Sequence, residues 1–374
     1  MTRLKTLNSE GSGGDLPGFA AGQEQVDARA RPVLPSQVAA TRRSAWRRLV
    51  ADRQLNFLVV LNVLVIVLAL TLAGAEFVNL YNLQSMASQV PELGLLAIGV
   101  MLTMISGNGG IDLSGIALAN LSSLTAALLV PTWISPDDAP MTYTVVFFLV
   151  TLCVGVVGGL VNGLLVSRVA LTPIIATLGT SLLFTGLSVV LTNGSAVKLG
   201  FIEPMDTFGN SPIFGVPICF GVFIIFAALI GAVLRFSPFG MRLYLLGSNA
   251  KAARYAGFAV RRILLLTYTA SGVLASIAGF IIAARISSVK WDYGSSYVLI
   301  SILIVVMAGV RPYGGYGRMI CVVLSATALQ SLSSMFNFIG ISNFFRDCAW
   351  GLLLLIFLAV SRIDDFKALL PRRS

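Results

Sequence analysis

Histidine is absent from the 374 residues. That removes the side chain on which Ser-His-Asp triads, imidazole metal sites and phospho-histidine relays depend. Charge is scarce as well: Asp, Glu, Lys and Arg make up 11% of the chain, against about 25% in soluble domains. Cysteine occurs four times, at Cys153, Cys219, Cys321 and Cys348, in apolar surroundings and without CxxC spacing, so these residues read as small hydrophobes and not as a disulfide or metal framework. No Gly-Lys dipeptide occurs, so a Walker A loop cannot be built and any ATP used must be hydrolysed by another polypeptide. What the chain does have is apolar material, 56% of its residues, and 36 glycines. The apolar residues fall in runs long enough to cross a bilayer, so water is not this chain's only solvent. It reads as a polytopic membrane protein, and hydrolytic chemistry within it is not expected.

Residues Met1 to about Ala40 are rich in Gly, Ser, Ala, Pro and Gln and show no apolar period. They cannot bury enough surface to offset the entropy of ordering and are expected to be disordered. No hydrophobic region lies near Met1, and Glu10, Asp15, Glu24 and Asp27 argue against a transit peptide, so this tail is expected to be retained. Arg42, Arg43, Trp46, Arg47, Arg48 and Arg53 then form a basic cluster suited to anionic headgroups and to fixing orientation. The expected division is a basic tail over 1–53, a transmembrane domain over 54–363 containing a loop at 235–262, and a C-terminal tail over 364–374.

The fold class expected is all-α, a transmembrane helical bundle of about ten spans, because the bilayer core offers no water for unpaired backbone groups. The segments are approximately Leu55–Ala73, Glu92–Ser106, Ser114–Trp133, Tyr143–Ser167, Ile174–Thr192, Ile218–Arg235, Ile263–Arg285, Tyr297–Val310, Met319–Phe336 and Asp347–Ser361. The second and eighth are short for a span of roughly 20 residues, and each runs into a glycine cluster. With the N-terminus cytoplasmic, every Lys and Arg except Lys198, Arg285, Lys290 and Arg346 falls on the cytoplasmic side, as the positive-inside rule favours. Both termini are then cytoplasmic. The outer loops carry Asp137, Asp138, Glu203, Asp206 and Asp292, with Trp133, Trp291 and Tyr293 at interfacial positions. Gly155, Gly159 and Gly163, and likewise Ser271, Ala275, Gly279 and Ala283, recur every four residues and predict two smooth faces for close helix packing.

Three stretches carry the functional signal. The loop Arg235–Arg262 holds Arg235, Arg242, Lys251, Arg254, Arg261 and Arg262 and no acid. Within it Ser248 or Asn249 can cap a short helix over Ala250–Ala256, and Gly257 stands where a left-handed residue would stop it. So short a helix persists only when docked, on its own loop or in a partner's groove. In GNGGIDLSG, residues 107–115, Asp112 can cap the following helix through the amide of Ser114 or Gly115, either as a structural cap at a cytoplasmic turn or as part of a gate. The turn from Arg311 to Gly317, with Pro312, Gly314 and Gly315, reads as turn chemistry or as a second gate element.

Together these stretches resemble a family. Lys251, Ala252, Ala253 and Gly257 reproduce the spacing of the Glu-Ala-Ala, three residues, Gly loop of ABC importer permeases, and the run from Phe239 through Gly257 is similar to the form in monosaccharide permeases of the ribose, galactose and arabinose type. Gly109, Gly110, Ile111, Asp112, Leu113 and Ser114 match their Gly-Gly-Ile-Asp-Leu-Ser signature, and Gly309 through Gly317 is similar to their Gly-rich stretch before the penultimate helix. The resemblance covers roughly Leu55 to Ile363. Departures are Lys251 for the acidic residue of the loop motif, Ala250 for the proline often before it, Gly115 after Ser114, and Arg311 with Pro312 in the third stretch.

The resemblance implies a permease subunit of an ATP-driven, binding-protein-dependent sugar importer in a bacterial inner membrane, not itself an enzyme. Ser248, Asn249, Lys251, Ala252, Ala253, Arg254 and Gly257 would couple it to a cytoplasmic ATP-binding subunit. Gly109, Gly110, Asp112, Ser114, Gly314 and Gly315 would contribute to the gate or pathway. No cofactor is implied in this chain, ATP and Mg belonging to the partner. Further implied partners are a second permease copy or paralogue, the lipid membrane and an external sugar-binding protein meeting Asp137, Asp138, Glu203 and Asp206; nucleic acid is not among them. Asn120, Ser122, Ser123, Asn162 and Thr185 are polar enough to line a pathway, although helix-to-helix hydrogen bonds explain them equally well. Two other readings remain, an ion-coupled secondary symporter and an amino-acid permease of the same ATP-driven superfamily.

Overall fold

The computed structural model describes residues 52–369. The expected tail lies outside them as far as residue 51, with the basic cluster at Arg42, Arg43, Trp46, Arg47 and Arg48, and so do the last residues of the expected C-terminal tail. Helices account for about three quarters of the described chain. In order they are α1 (Arg53–Ala73), α2 (Leu80–Ile105), α3 (Gly115–Leu129), α4 (Pro140–Ser167), α5 (Pro173–Thr192), α6 (Glu203–Asn210), α7 (Ile218–Phe236), α8 (Pro238–Ser248), α9 (Ala250–Tyr255), α10 (Val260–Ile286), α11 (Tyr297–Met307), α12 (Met319–Phe338) and α13 (Asn343–Leu369). Pro140, Pro173 and Pro238 open α4, α5 and α8, where a missing N–H costs nothing. Among the described residues, eight helices are long and apolar enough to cross a membrane: α1, α2, α3, α4, α5, α7, α10 and α12. α11 is apolar but shorter, as its sequence segment implied.

One expected boundary is wrong. The second span begins at Leu80 and not at Glu92, so Glu92 lies in mid-helix and fully buried. The polar run before it misled, because its side chains are satisfied by distant or local partners. Gln330 Nε2 donates to Gln89 Oε1 (3.2 Å), Ser334 Oγ to Asn82 Oδ1 (3.1 Å), and Ser88 Oγ to the Ser85 carbonyl (2.9 Å). Polar residues at membrane depth are stable when a neighbouring helix completes their hydrogen bonds.

The core is built around α2 and α10, whose residues are buried along most of their length, while α1, α5 and α7 present broad apolar faces outward. Both small-residue stripes are packing faces, and they involve neighbouring faces of α10. A Cβ on Gly159 would stand 2.8 Å from the Tyr268 carbonyl oxygen and 2.9 Å from Thr269 Cα, and one on Gly155 2.7 Å from the Gly272 carbonyl oxygen, so α4 meets α10 backbone to backbone. On the adjoining face a Cβ on Gly279 would come within 2.9 Å of the Ala119 carbonyl carbon in α3, and one on Gly99 of α2 within 2.8 Å of Ser271 Oγ.

Two short antiparallel ladders join loops at the end of the bundle remote from α8 and α9. β1 (Val197–Lys198) pairs with β4 (Ser288–Val289), and β2 (Pro212–Ile213) with β3 (Val216–Pro217). All four cysteines are free thiols, Cys219 and Cys321 buried among apolar side chains.

Candidate functional site

The loop helix forms as its sequence implied, and the choice of cap is resolved. Asn249 Oδ1 accepts the Ala252 N–H (3.0 Å), whereas Ser248 ends α8 and turns its hydroxyl back to the Tyr244 carbonyl (3.0 Å). Gly257 follows in the left-handed region at φ 76°, which a side chain would strain. Ala253 alone in α9 is buried, packed into the main apolar core, while Lys251, Ala252, Arg254 and Tyr255 are exposed. A six-residue helix is unstable in isolation; here it rests on its own bundle by one methyl group and offers a basic, aromatic face outward.

At the last turn of α8 the three motif stretches meet. Gly107, Gly314 and Gly315 have φ of 80°, 93° and 75°, and they converge on Gly247 in the last turn of α8. A Cβ on Gly107 would lie 2.9 Å from Gly247 Cα and 3.2 Å from the Tyr313 carbonyl oxygen. One on Gly314 would lie 2.7 Å from Gly107 N, and one on Gly315 2.9 Å from Ser248 Cα. At Gly247 itself a Cβ would run into the Ile105 carbonyl and the Gly315 amide. The Gly315 N–H donates to the Ile105 carbonyl (3.0 Å), and the Tyr244 hydroxyl to the Gly317 carbonyl (2.7 Å). Burial pushes the Tyr244 phenol up from its ordinary value, so it keeps the proton it donates. The end of α2, the end of α8 and the turn between α11 and α12 thus touch as bare backbone. The sequence reading had Gly314 and Gly315 but missed Gly107 and Gly247, whose role exists only where the segments cross. Gly109 takes φ 67°, where a Cβ would meet only Ile174 Cδ1 at 3.8 Å, and a Cβ on Gly110 would lie 2.9 Å from the Gly107 carbonyl oxygen.

Asp112 does not sit at the end of the bundle. It is buried beside Ser271, well along α10, because residues 107–114 climb back between the helices without forming one. One carboxylate oxygen accepts the Ser114 N–H (2.9 Å), as the motif suggested, together with the Ser114 hydroxyl (2.7 Å). The other accepts the Ser271 hydroxyl (2.7 Å). The chain of bonds continues from Asn162 Nδ2 to Ser114 Oγ (2.7 Å) and from Thr180 Oγ1 to Asn162 Oδ1 (2.6 Å), linking α3, α4, α5 and α10. Asn120 donates to the Trp291 and Tyr293 carbonyls (3.1 and 2.9 Å), while Ser122 and Ser123 return to carbonyls of their own helix.

A second buried charge cluster escaped the sequence reading. Glu92 pairs with Arg285, which the sequence reading placed at the outer end of the seventh span and which lies in the last turn of α10. The Tyr293 and Tyr297 hydroxyls donate to the other Glu92 oxygen (3.1 and 3.2 Å), and Arg285 Nη2 donates to Tyr293 Oη (3.2 Å). The two rings meet edge to face with centroids 5.8 Å apart. Burial, reinforced by the Glu92 carboxylate, pushes the Tyr293 phenol up, so it remains a donor. The segment after α10 is therefore folded inward, its phenols holding a carboxylate in the middle of α2. Between the two clusters lies a narrow cleft of about 10 Å³, barely room for one water, lined by Leu96, Val100, Asp112, Ser271, Tyr297 and Ser301.

The family described as branched-chain amino acid transport system / permease component matches residues 82–360. The ribose import permease protein RbsC of Bacillus subtilis (strain 168) is 30% identical over 303 residues, covering 81% of this chain and 91% of that protein. RbsC of Escherichia coli (strain K12) is 31% identical over 287 residues, 76% of this chain and 86% of that protein, and the autoinducer 2 import system permease protein LsrD of Photorhabdus temperata is 30% identical over 269 residues, 71% and 78%. No solved structure matches the chain. With a match across most of its length and bundled apolar helices beneath it, this multi-pass membrane chain belongs to the branched-chain amino acid transport system / permease component family.

Proposed function

We propose that the chain is the membrane-spanning subunit of an ATP-driven importer of neutral sugars, supplied by an external binding protein and powered by a separate cytoplasmic subunit that holds ATP and Mg. The observation that carries this reading is the placement of α9. Its exposed face, Lys251, Arg254 and Tyr255, is free to enter a partner's groove, and it follows directly on the last turn of α8, whose Gly247 and Ser248 form the glycine junction. A push on α9 therefore reaches the end of α2 through Ile105, and the α11–α12 turn through Gly314 and Gly315, without slack from intervening side chains. The sugar assignment rests on the relatives, ribose import permeases above all. A second permease copy completes the assembly, and the outer acidic loops at Asp137, Asp138, Glu203 and Asp206 face the binding protein.

Gly257→Asp should abolish ATP-coupled uptake while the permease still reaches the membrane, since it places a charged side chain at φ 76° at the end of the lever. Wild-type transport by that variant would remove α9 from the mechanism. Ion-coupled symport is disfavoured by the partners of the buried acids: Glu92 is held by Arg285 and two phenols, Asp112 by an amide and two hydroxyls. Uptake into membrane vesicles should accordingly stop with vanadate and persist with a protonophore, and the reverse pattern would establish secondary transport.

A further inference from the structure

Besides meeting the glycine junction, the turn between α11 and α12 is fastened to the start of α1. Gln54 Nε2 donates to the Met307 carbonyl at the end of α11 (2.6 Å), a Cβ on Gly309 would lie 2.9 Å from Gln54 Cδ, and the Asp52 carboxylate pairs with Arg318. Arg311 and Arg318 both reach the Tyr316 ring, their guanidinium carbons 5.8 and 5.9 Å from its centroid. An aromatic face attracts cations, but two like charges gathered on one ring repel each other unless acids balance them. Arg318 has Asp52; among the described residues Arg311 has no acid. Arg311, Tyr316 and Arg318 are all exposed. Arg311 is also one of the departures from the family pattern, so the transport reading leaves it without a task.

We propose that Arg311 and Arg318 hold the phosphate of an anionic phospholipid whose acyl chains lie along α1. The depth is right. Asp52 and Arg53 stand at the mouth of a helix long and apolar enough to cross a membrane, where hydrocarbon gives way to headgroups, and the pair with Asp52 brings Arg318 to that level. From there α1 exposes Val59, Val60, Val63, Leu64 and Val67, and Ile320, two residues after Arg318, is exposed as well. A basic rim above apolar side chains matches a phosphate above acyl chains. The chemistry is also right. A guanidinium offers two parallel N–H donors to phosphate oxygens and is weakly hydrated, so it keeps such a contact better than an ammonium does. A zwitterionic headgroup carries its own cation to the same place and an anionic one does not, so the unbalanced charge of Arg311 selects for net negative lipid. A bound headgroup holds the turn, and with it Gly314 and Gly315, from the lipid side.

The test uses the full-length permease in detergent and involves no transport. Thermal unfolding is followed while phosphatidylglycerol, phosphatidylcholine or inorganic phosphate is added, for wild type, Arg311→Gln and Arg261→Gln. Arg311→Gln breaks no ion pair among the described residues. Arg261, exposed in the first turn of α10 directly after α9, gives up the same charge elsewhere on that end of the bundle. Phosphatidylglycerol should raise the melting temperature of wild type more than phosphatidylcholine does. The midpoint of that titration should move to about fivefold more lipid in Arg311→Gln, as expected for one lost basic contact, and stay in place in Arg261→Gln. An unchanged midpoint in Arg311→Gln, or an equal shift in Arg261→Gln, overturns the site and leaves only diffuse attraction. Equal stabilisation by the two lipids overturns the selection for charge, and equal stabilisation by inorganic phosphate overturns lipid as the ligand.

Discussion

Gly247→Ala should stop transport and sharply destabilise the purified permease. The added methyl group would stand against the Ile105 carbonyl and the Gly315 amide, both backbone. Relief cannot come from a rotamer change, because no side chain is in the way. Overpacking a core ordinarily costs about 1–3 kcal/mol, and a clash against two fixed main chains belongs at or above the top of that range. The contact to break is also the hydrogen-bonded one between Gly315 and Ile105. Gly221→Ala is the matching control. It lies inside α7 with open space around its Cβ position, and there alanine should be neutral or stabilising by up to about 1 kcal/mol. Thermal unfolding in detergent, followed alongside uptake, reads both. Equal melting temperatures for the two variants would refute the junction.

Arg285→Met should be nearly as damaging, for an electrostatic reason. Glu92 is fully buried, and removing its cation leaves a carboxylate with only two phenols for partners. Breaking one side of a buried pair costs about 3–5 kcal/mol, whereas replacing both sides is often neutral. The double variant Glu92→Leu with Arg285→Met should therefore recover most of the melting temperature lost in the single one. Recovery of stability without recovery of transport would show that the pair works in the cycle and not only in folding. If the single variant melts like wild type, the pair contributes nothing and its burial has been misjudged.

How far the chain could be read in advance depended on how local each signal is. Span lengths and the α8–α9 loop follow from neighbours in sequence: Asn249 finds its partner at Ala252, and Gly257 stops the helix without outside help. The start of α2 was lost because Asn82, Ser85, Ser88 and Gln89 look like loop until Gln330 and Ser334 are brought beside them. Glu92 and Arg285, 193 positions apart, each looked like the edge of a span, and only folding joins them. Motif residues were visible singly, but the meeting of Gly107, Gly247 and Gly314 is a property of three crossing backbones. Asp112 was seen as a cap, which it is, yet its depth beside Ser271 depended on a stretch that returns into the bundle.

The contact of α4 with α10 limits how the bundle can deform. Where Gly155 and Gly159 lie against the main chain of α10 at 2.7–2.9 Å from a would-be Cβ, neither helix has compliant side chains over which to slide. Shear along that seam is suppressed, and the two must travel as a single strut. Displacement is left to α11, which packs on α2, is short and is joined at both ends by non-helical chain. A cross-link between α4 and α10 should accordingly be tolerated through a full transport cycle, while one pinning α11 to α10 should freeze it.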